Sequence, residues 1–185
     1  MNYIKEIKNY IPINQQEEQD KKVLMDYIKT FPHNILIRDN EFAHITSSGF
    51  IVNQSIDKAL MIHHNIMDTW AWTGGHMDGE KDMLHVAVKE AQEEAGLSDV
   101  TPLSDKIASI DILTVEGHIK NGSYISSHVH LSIAYLLVAD EKATLSIKED
   151  ENSDVRWFDL KDINLETFSK HDVYLYQKLI DKAKL

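Results

Sequence analysis

The spacing of apolar residues changes several times along the chain, and each change marks an element. Residues 1–29 read as helical, interrupted at Pro12, which has no backbone N–H to give a helix. Within that stretch Val23, Leu24, Tyr27 and Ile28 follow a polar, charged run at helical spacing. Residues 31–40, opening on Phe31-Pro32, read as a connector. Residues 44–53 (HITSSGFIVN) and 59–64 read as two strands of a hairpin. A short strand at 70–73 feeds a turn at Gly74-Gly75. From Leu84 the period returns to that of a helix. At about 100° per residue, Leu84, Ala87, Val88, Ala91 and Ala95 share one apolar arc. Glu90, Glu93 and Glu94 fall together on the other side, and Gly96 is the stop signal. Beyond it, residues 107–116 read as a strand and Lys120-Asn121-Gly122 as a turn. Residues 128–139 (HVHLSIAYLLVA) form the longest apolar run, expected at the centre of a sheet. A short strand at 154–158 and a helix at 165–184 close the chain. This order fits an α/β or α+β fold, a mixed sheet flanked by helices.

Charge narrows the function classes. The formal net charge of the 185 residues is −11, so no general attraction to nucleic-acid polymers or anionic membranes is expected. The absence of cysteine excludes disulfides, thiolate metal sites and cysteine nucleophiles. No apolar run approaches the roughly 20 residues that span a bilayer, and the first residues lack an apolar signal core. A soluble, cytoplasmic protein is the expectation.

The acidic helix carries the chemistry. Glu90, Glu93 and Glu94 stand at i, i+3 and i+4, where like charges repel. Hard divalent cations such as Mg2+ and Mn2+ take oxygen ligands and would relieve that repulsion. An ordinary solvated acidic face is the simpler reading of a bare Glu-x-x-Glu-Glu. The flanking glycines change that weighting.

The string from Gly74 to Leu97 resembles the Nudix box, Gly-x5-Glu-x7-Arg-Glu-U-x-Glu-Glu-x-Gly-U, with U a large aliphatic. Gly75, Glu90, Glu93, Glu94, Gly96 and Leu97 match at the correct spacing. Lys81, Lys89 and Ala91 depart from it, at the positions of the first Glu, the Arg and the aliphatic. The likeness to bacterial MutT-type Nudix proteins extends over residues 44–160. It implies a Nudix-type α/β/α sandwich over residues 41–185, with residues 1–40 as a helical extension packed on it. It also implies a metal-dependent hydrolase that cleaves the pyrophosphate of a small, nucleotide-derived substrate. Mg2+ or Mn2+ would be held by Glu90, Glu93, Glu94 and the carbonyl of Gly74. Glu93 or Glu151 would be the general base. With the box Arg replaced, Lys89 is expected to pair with Glu80 or with Glu93.

Other residues are open to two readings. His76 follows the glycines and could touch phosphate or metal. His128 and His130 alternate along a strand and share a face, where they could meet substrate or be satisfied by backbone groups. His63 and His64 point to opposite faces. Trp70 and Trp72 share a face, and core packing is the default for tryptophan. Two rival functions stand beside the hydrolase. One is a ligand-sensing domain that has lost turnover, favoured by Lys81 and Lys89. The other is an isomerase of the isopentenyl-diphosphate type, which needs a catalytic cysteine this chain lacks. A homodimer is the expected assembly if the chain is not a monomer.

Overall fold

The computed structural model describes residues 3–120 and 122–185. Helices α1 (Tyr3–Asn9) and α2 (Gln15–Thr30) flank Pro12, and Asn14 caps α2 by accepting from the N–H of Glu17. Met1 and Asn2, at the start of the predicted helix, lie outside the described residues. Strands β1 (Ala43–Val52) and β9 (His128–Ala139) form the centre of the main sheet. They run parallel, from Ala43↔Val129 to Val52↔Val138. Every residue of β1 is buried, as strands covered on both faces require.

Around them the order is β10-β2-β1-β9-β5, formed by β10 (Asn152–Asp159), β2 (Lys58–His64) and β5 (Val100–Pro102) with the central pair. Strand β3 (Thr69–Ala71) pairs with β2, β4 (Thr73–His76) with β1, and β6 (Ser109–Val115) with β9. A separate hairpin joins β7 (His118–Lys120) to β8 (Ser123–Ile125). The predicted turn falls between them, with Asn121 itself outside the described residues.

Alternation along β1 sorts the helices. Ile45 and Ile51 point into a core shared with Leu24 and Ile28 of α2 and with Met83, Ala87 and Ala91 of α3 (Met83–Ala95). Phe50 and Val52 point the other way, onto Leu175, Tyr176 and Leu179 of α4 (Lys170–Ala183). The molecule is therefore an α/β/α sandwich. The N-terminal helices are fastened to it by a buried ion network. Glu17, fully buried, lies 2.8 Å from Lys182 and 3.2 Å from Lys178, and Lys178 reaches Asp111 at 2.5 Å. The network spans α2, β6 and α4. No helix among the described residues is long and apolar enough to cross a membrane.

Two boundaries differ from the sequence reading. The glycine pair lies inside strand β4 and not in a turn after it, because Ser47↔Gly75 and Ser48↔Gly74 are ladder pairs with β1. Helix α4 starts at Lys170, not Leu165. Residues 164–168 form a turn, and Ser169 supplies the cap by accepting from the N–H of Asp172.

Candidate active site

Helix α3 begins at Asp82, whose carboxylate accepts from the N–H of His85, and ends at Gly96 in the left-handed region with φ 67°. Its three glutamates have separate surroundings, which corrects the single acidic face of the sequence reading. Glu94 belongs to the buried stripe, at 2 % exposure, and accepts from the N–H of Gly74 at 2.9 Å. Glu90 is half-buried against β4. A Cβ on Gly75 would lie 2.5 Å from the carboxyl carbon of Glu90, so only glycine admits that side chain. Glu93 points outward and meets Lys89 at 3.4 Å and Lys148 at 3.3 Å.

Glu151 arrives from the loop before β10. Asn152 donates to the carbonyl of Glu94 at 2.9 Å, which pins that loop to the end of α3. Glu90, Glu94 and Glu151 each offer one carboxylate oxygen, all within 4.8 Å of one another. Lys148 lies 3.3 Å from both Glu93 and Glu151, so it links the outer carboxylate to the cluster. Lys89 pairs with Glu93 and, at 3.6 Å, with Glu90. The alternative partner, Glu80, instead accepts from the N–H groups of Lys81 and Asp82, closing the turn before α3.

Electrostatics follow these positions. Burial, reinforced by Glu90 and Glu151, pushes the Glu94 carboxyl up to about 8, against the pull of the Gly74 hydrogen bond. Burial also raises Glu90. For Glu93, hydrogen bonds from Lys148 and Lys89 outweigh a desolvation cost and lower it. A buried carboxyl with one hydrogen bond, beside two further carboxylates, is a donor set suited to a hard divalent cation.

A cavity of about 400 Å3 lies beside this cluster, lined among others by Arg38, His44, His64, His76, His128 and His130. The N–H of Asn65 donates to the carbonyl of Glu151 at 2.9 Å, so the loop carrying the cavity residues Ile66 and Met67 is tied to the acidic loop. Arg38 makes two hydrogen bonds to Asp78, at 2.8 and 2.6 Å. Sheet register brings four histidines together. His44 pairs with His130 across the parallel strands, and Thr46, two residues from His44, pairs with His76 across β4. His128 is two residues from His130, so all four share one face. Burial, with the neighbouring histidines and Arg38, pushes His76 down to about 3 and His130 to about 2, and lowers His44. His76 and His130 are therefore neutral at physiological pH.

His63 turns to Ser153, while His64 lines the cavity with Nδ1 accepting from Ile66 and Met67. Trp70 packs edge-on against Phe158 and Trp72 against Tyr176, both partly buried against the core. The sequence reading singled out neither His44 nor Lys148 nor Arg38. His44 stands alone in sequence, and only the register of β1 with β9 and with β4 joins it to the other histidines.

A model of the NUDIX domain matches residues 43–179. An uncharacterized Nudix hydrolase of Bacillus subtilis, YvcI, is 25 % identical over 112 residues, 60 % of this chain and 65 % of that protein. The match thus spans slightly less than two thirds of that relative. Among solved structures, the MutT protein of Methanosarcina mazei Go1 superposes with a TM-score of 0.55 at 16 % identity, covering 78 % of this chain and 97 % of that one. A NUDIX-family hydrolase of Clostridium perfringens gives 0.53 at 21 %, covering 75 % and 97 %. These structural likenesses concern the fold. Together with the matched motif on α3, the family model over residues 43–179 places the chain in the NUDIX domain family, to which it belongs.

Proposed function

We propose that this protein is a metal-dependent pyrophosphohydrolase acting on a small phosphorylated substrate, nucleotide-derived, with residues 1–40 as an integral support of the catalytic domain. The observation that carries this reading is the convergence of Glu90, Glu94 and Glu151, with Glu94 hydrogen-bonded to the N–H of Gly74. Glu90, Glu94 and the Gly74 carbonyl would hold Mg2+ or Mn2+, and Glu93 would complete the set from the rim once its lysine pairs open, leaving Glu151 free as a base. Such a cation supplies positive charge against the charge that builds on phosphate oxygens.

The chain's own residues do the rest. Water adds across the P–O–P bridge: its oxygen bonds to one phosphorus, and the bridging oxygen leaves with the other phosphate. Glu151, on a loop at the edge of the cluster, accepts the proton that the water gives up. Glu93 is the alternative base, held ionised by Lys89 and Lys148. The neighbouring cavity would receive the rest of the substrate, with His76, His128 and His130 in its wall.

Incubating the protein with nucleoside diphosphate derivatives and Mg2+ or Mn2+, and identifying the phosphate products, tests this. Metal-dependent release of a phosphomonoester from at least one substrate is expected. Ligand-induced thermal stabilisation without any turnover would replace the hydrolase reading with a ligand-sensing domain.

A further inference from the structure

We propose that His44, His76, His128 and His130 form a second metal site, for a transition cation of the Zn2+ class, separate from the carboxylate cluster. This goes beyond the hydrolase reading and does not rest on it.

The geometry fits such an ion. One ring nitrogen from each histidine lies within 4.8 Å of the others. Nε2 of His128 and Nε2 of His130 are 3.2 Å apart. Two nitrogens bound tetrahedrally at about 2.0–2.1 Å from one ion are separated by roughly 3.4 Å. The rings surround a common point: His44 is 4.9 Å from His76, 5.2 Å from His128 and 5.3 Å from His130, centroid to centroid.

Proton placement also fits. Nδ1 of His44 is 3.0 Å from the carbonyl of Asn40, and Nδ1 of His128 is 2.9 Å from the carbonyl of Ser126. A carbonyl only accepts, so both Nδ1 atoms carry the proton and both Nε2 atoms present lone pairs. Backbone carbonyls holding the far nitrogen are the usual outer support of a metal-bound imidazole. His44 is 4 % exposed, and its Nε2 is buried without a hydrogen-bond partner. An orphaned buried acceptor aimed into a ring of imidazoles is what a cation would satisfy. Hydrogen bonding within the cluster does not remove this need. The donor His130 can serve His128, and His44 remains unpaired.

The donor set chooses the ion. Four imidazole donors with no carboxylate suit Zn2+, Co2+, Ni2+ or Cu2+ and not Mg2+ or Ca2+. Arg38, a cation in the same cavity wall, is offset by its two hydrogen bonds to Asp78. An ion here would tie the starts of β1 and β9 to the end of β4 and put positive charge in the cavity wall, where an anionic ligand group can be held.

Titration of metal-stripped protein with Co2+, a spectroscopic stand-in for Zn2+, in excess Mg2+ tests the site. One equivalent of Co2+ should give the intense visible absorption of tetrahedral nitrogen ligation, and one equivalent of Zn2+ should erase it. Glu94→Gln should keep the signal. His44→Gln and His76→Gln should each weaken Co2+ binding by more than the roughly 10–100-fold that disturbing an outer partner costs. His76 is less deeply buried than His44, so its variant is informative even if the buried His44 variant does not fold. No tetrahedral signal, a signal lost in Glu94→Gln, or a signal that survives in His76→Gln would overturn the proposal.

Discussion

Replacing Glu94 by glutamine removes the titratable proton and almost no volume from the buried carboxyl of the acidic cluster. The glutamine oxygen can still accept from the N–H of Gly74, so the local hydrogen bond survives. In the folded, metal-free protein Glu94 keeps its proton up to about pH 8, whereas its ordinary value is 4.5. The folded state therefore binds more protons than the unfolded chain between those values. Wild-type stability is fully present below pH 4.5 and is lost as pH rises through 8. At about 1.4 kcal/mol per unit, burying this carboxyl costs the metal-free fold about 3 kcal/mol by pH 7. Glutamine does not titrate and escapes that cost. In EDTA the variant should match wild type at pH 4 and melt above it by about 6–12 °C at pH 7, from roughly 2–4 °C per kcal/mol. Excess Mg2+ should reverse the order, because only wild type regains stability by binding it. Thermal melts at pH 4, 7 and 8.5, with and without Mg2+, read both effects. A variant less stable than wild type at pH 8.5 in EDTA, or one that Mg2+ stabilises as much as wild type, would refute the reasoning.

Gly75→Ala should cost about 1 kcal/mol or less in stability, because the displaced group is the flexible end of Glu90. Mg2+ affinity should still fall about tenfold or more, as when a hard-cation site loses one charged ligand. Unchanged calorimetric affinity would remove Glu90 from the ligand set. Lys148→Met takes away the cation that links Glu93 to Glu151, and Mg2+ affinity should rise by roughly 2–5-fold, the scale of a partly exposed pair; a fall would show that the lysine holds the carboxylates in place. Lys178→Met strands Asp111, 3 % exposed, and should cost about 3–5 kcal/mol in urea unfolding. A loss under about 1 kcal/mol would mean that the network does not fasten the N-terminal helices.

Much of this architecture is legible in the sequence where one physical signal dominates. Helix α3 shows its period, its Gly96 stop and its Glu90–Glu94 spacing, and β9 shows as a long apolar run. Strand β4 does not, since Gly74 and Gly75 have no strand propensity of their own. Their pairing with Ser47 and Ser48 makes them a strand, and the close approach of Glu90 explains the glycine at 75. The start of α4 was obscured because Leu165 continues the apolar pattern, while Ser169 holds the cap. The division of labour among the glutamates was hidden for a similar reason. Lys148, which engages Glu93, is 55 residues away, and Glu94 is buried by its neighbours on the sheet. The histidine ring needs a strand register that no local spacing encodes.

The central claim is that the carboxylate cluster supports hydrolysis of a phosphoanhydride. Its most direct measurement is turnover of a nucleoside diphosphate derivative by Glu151→Gln beside wild type, with Mg2+ affinity measured on both. Wild-type turnover should depend on the metal and stop in EDTA. The variant should lose about 10²–10⁴-fold in kcat, the usual contribution of a positioned base, while Mg2+ still binds. Loss of only about twofold in kcat would move the base to Glu93, and metal-independent turnover in wild type would contradict the claim itself.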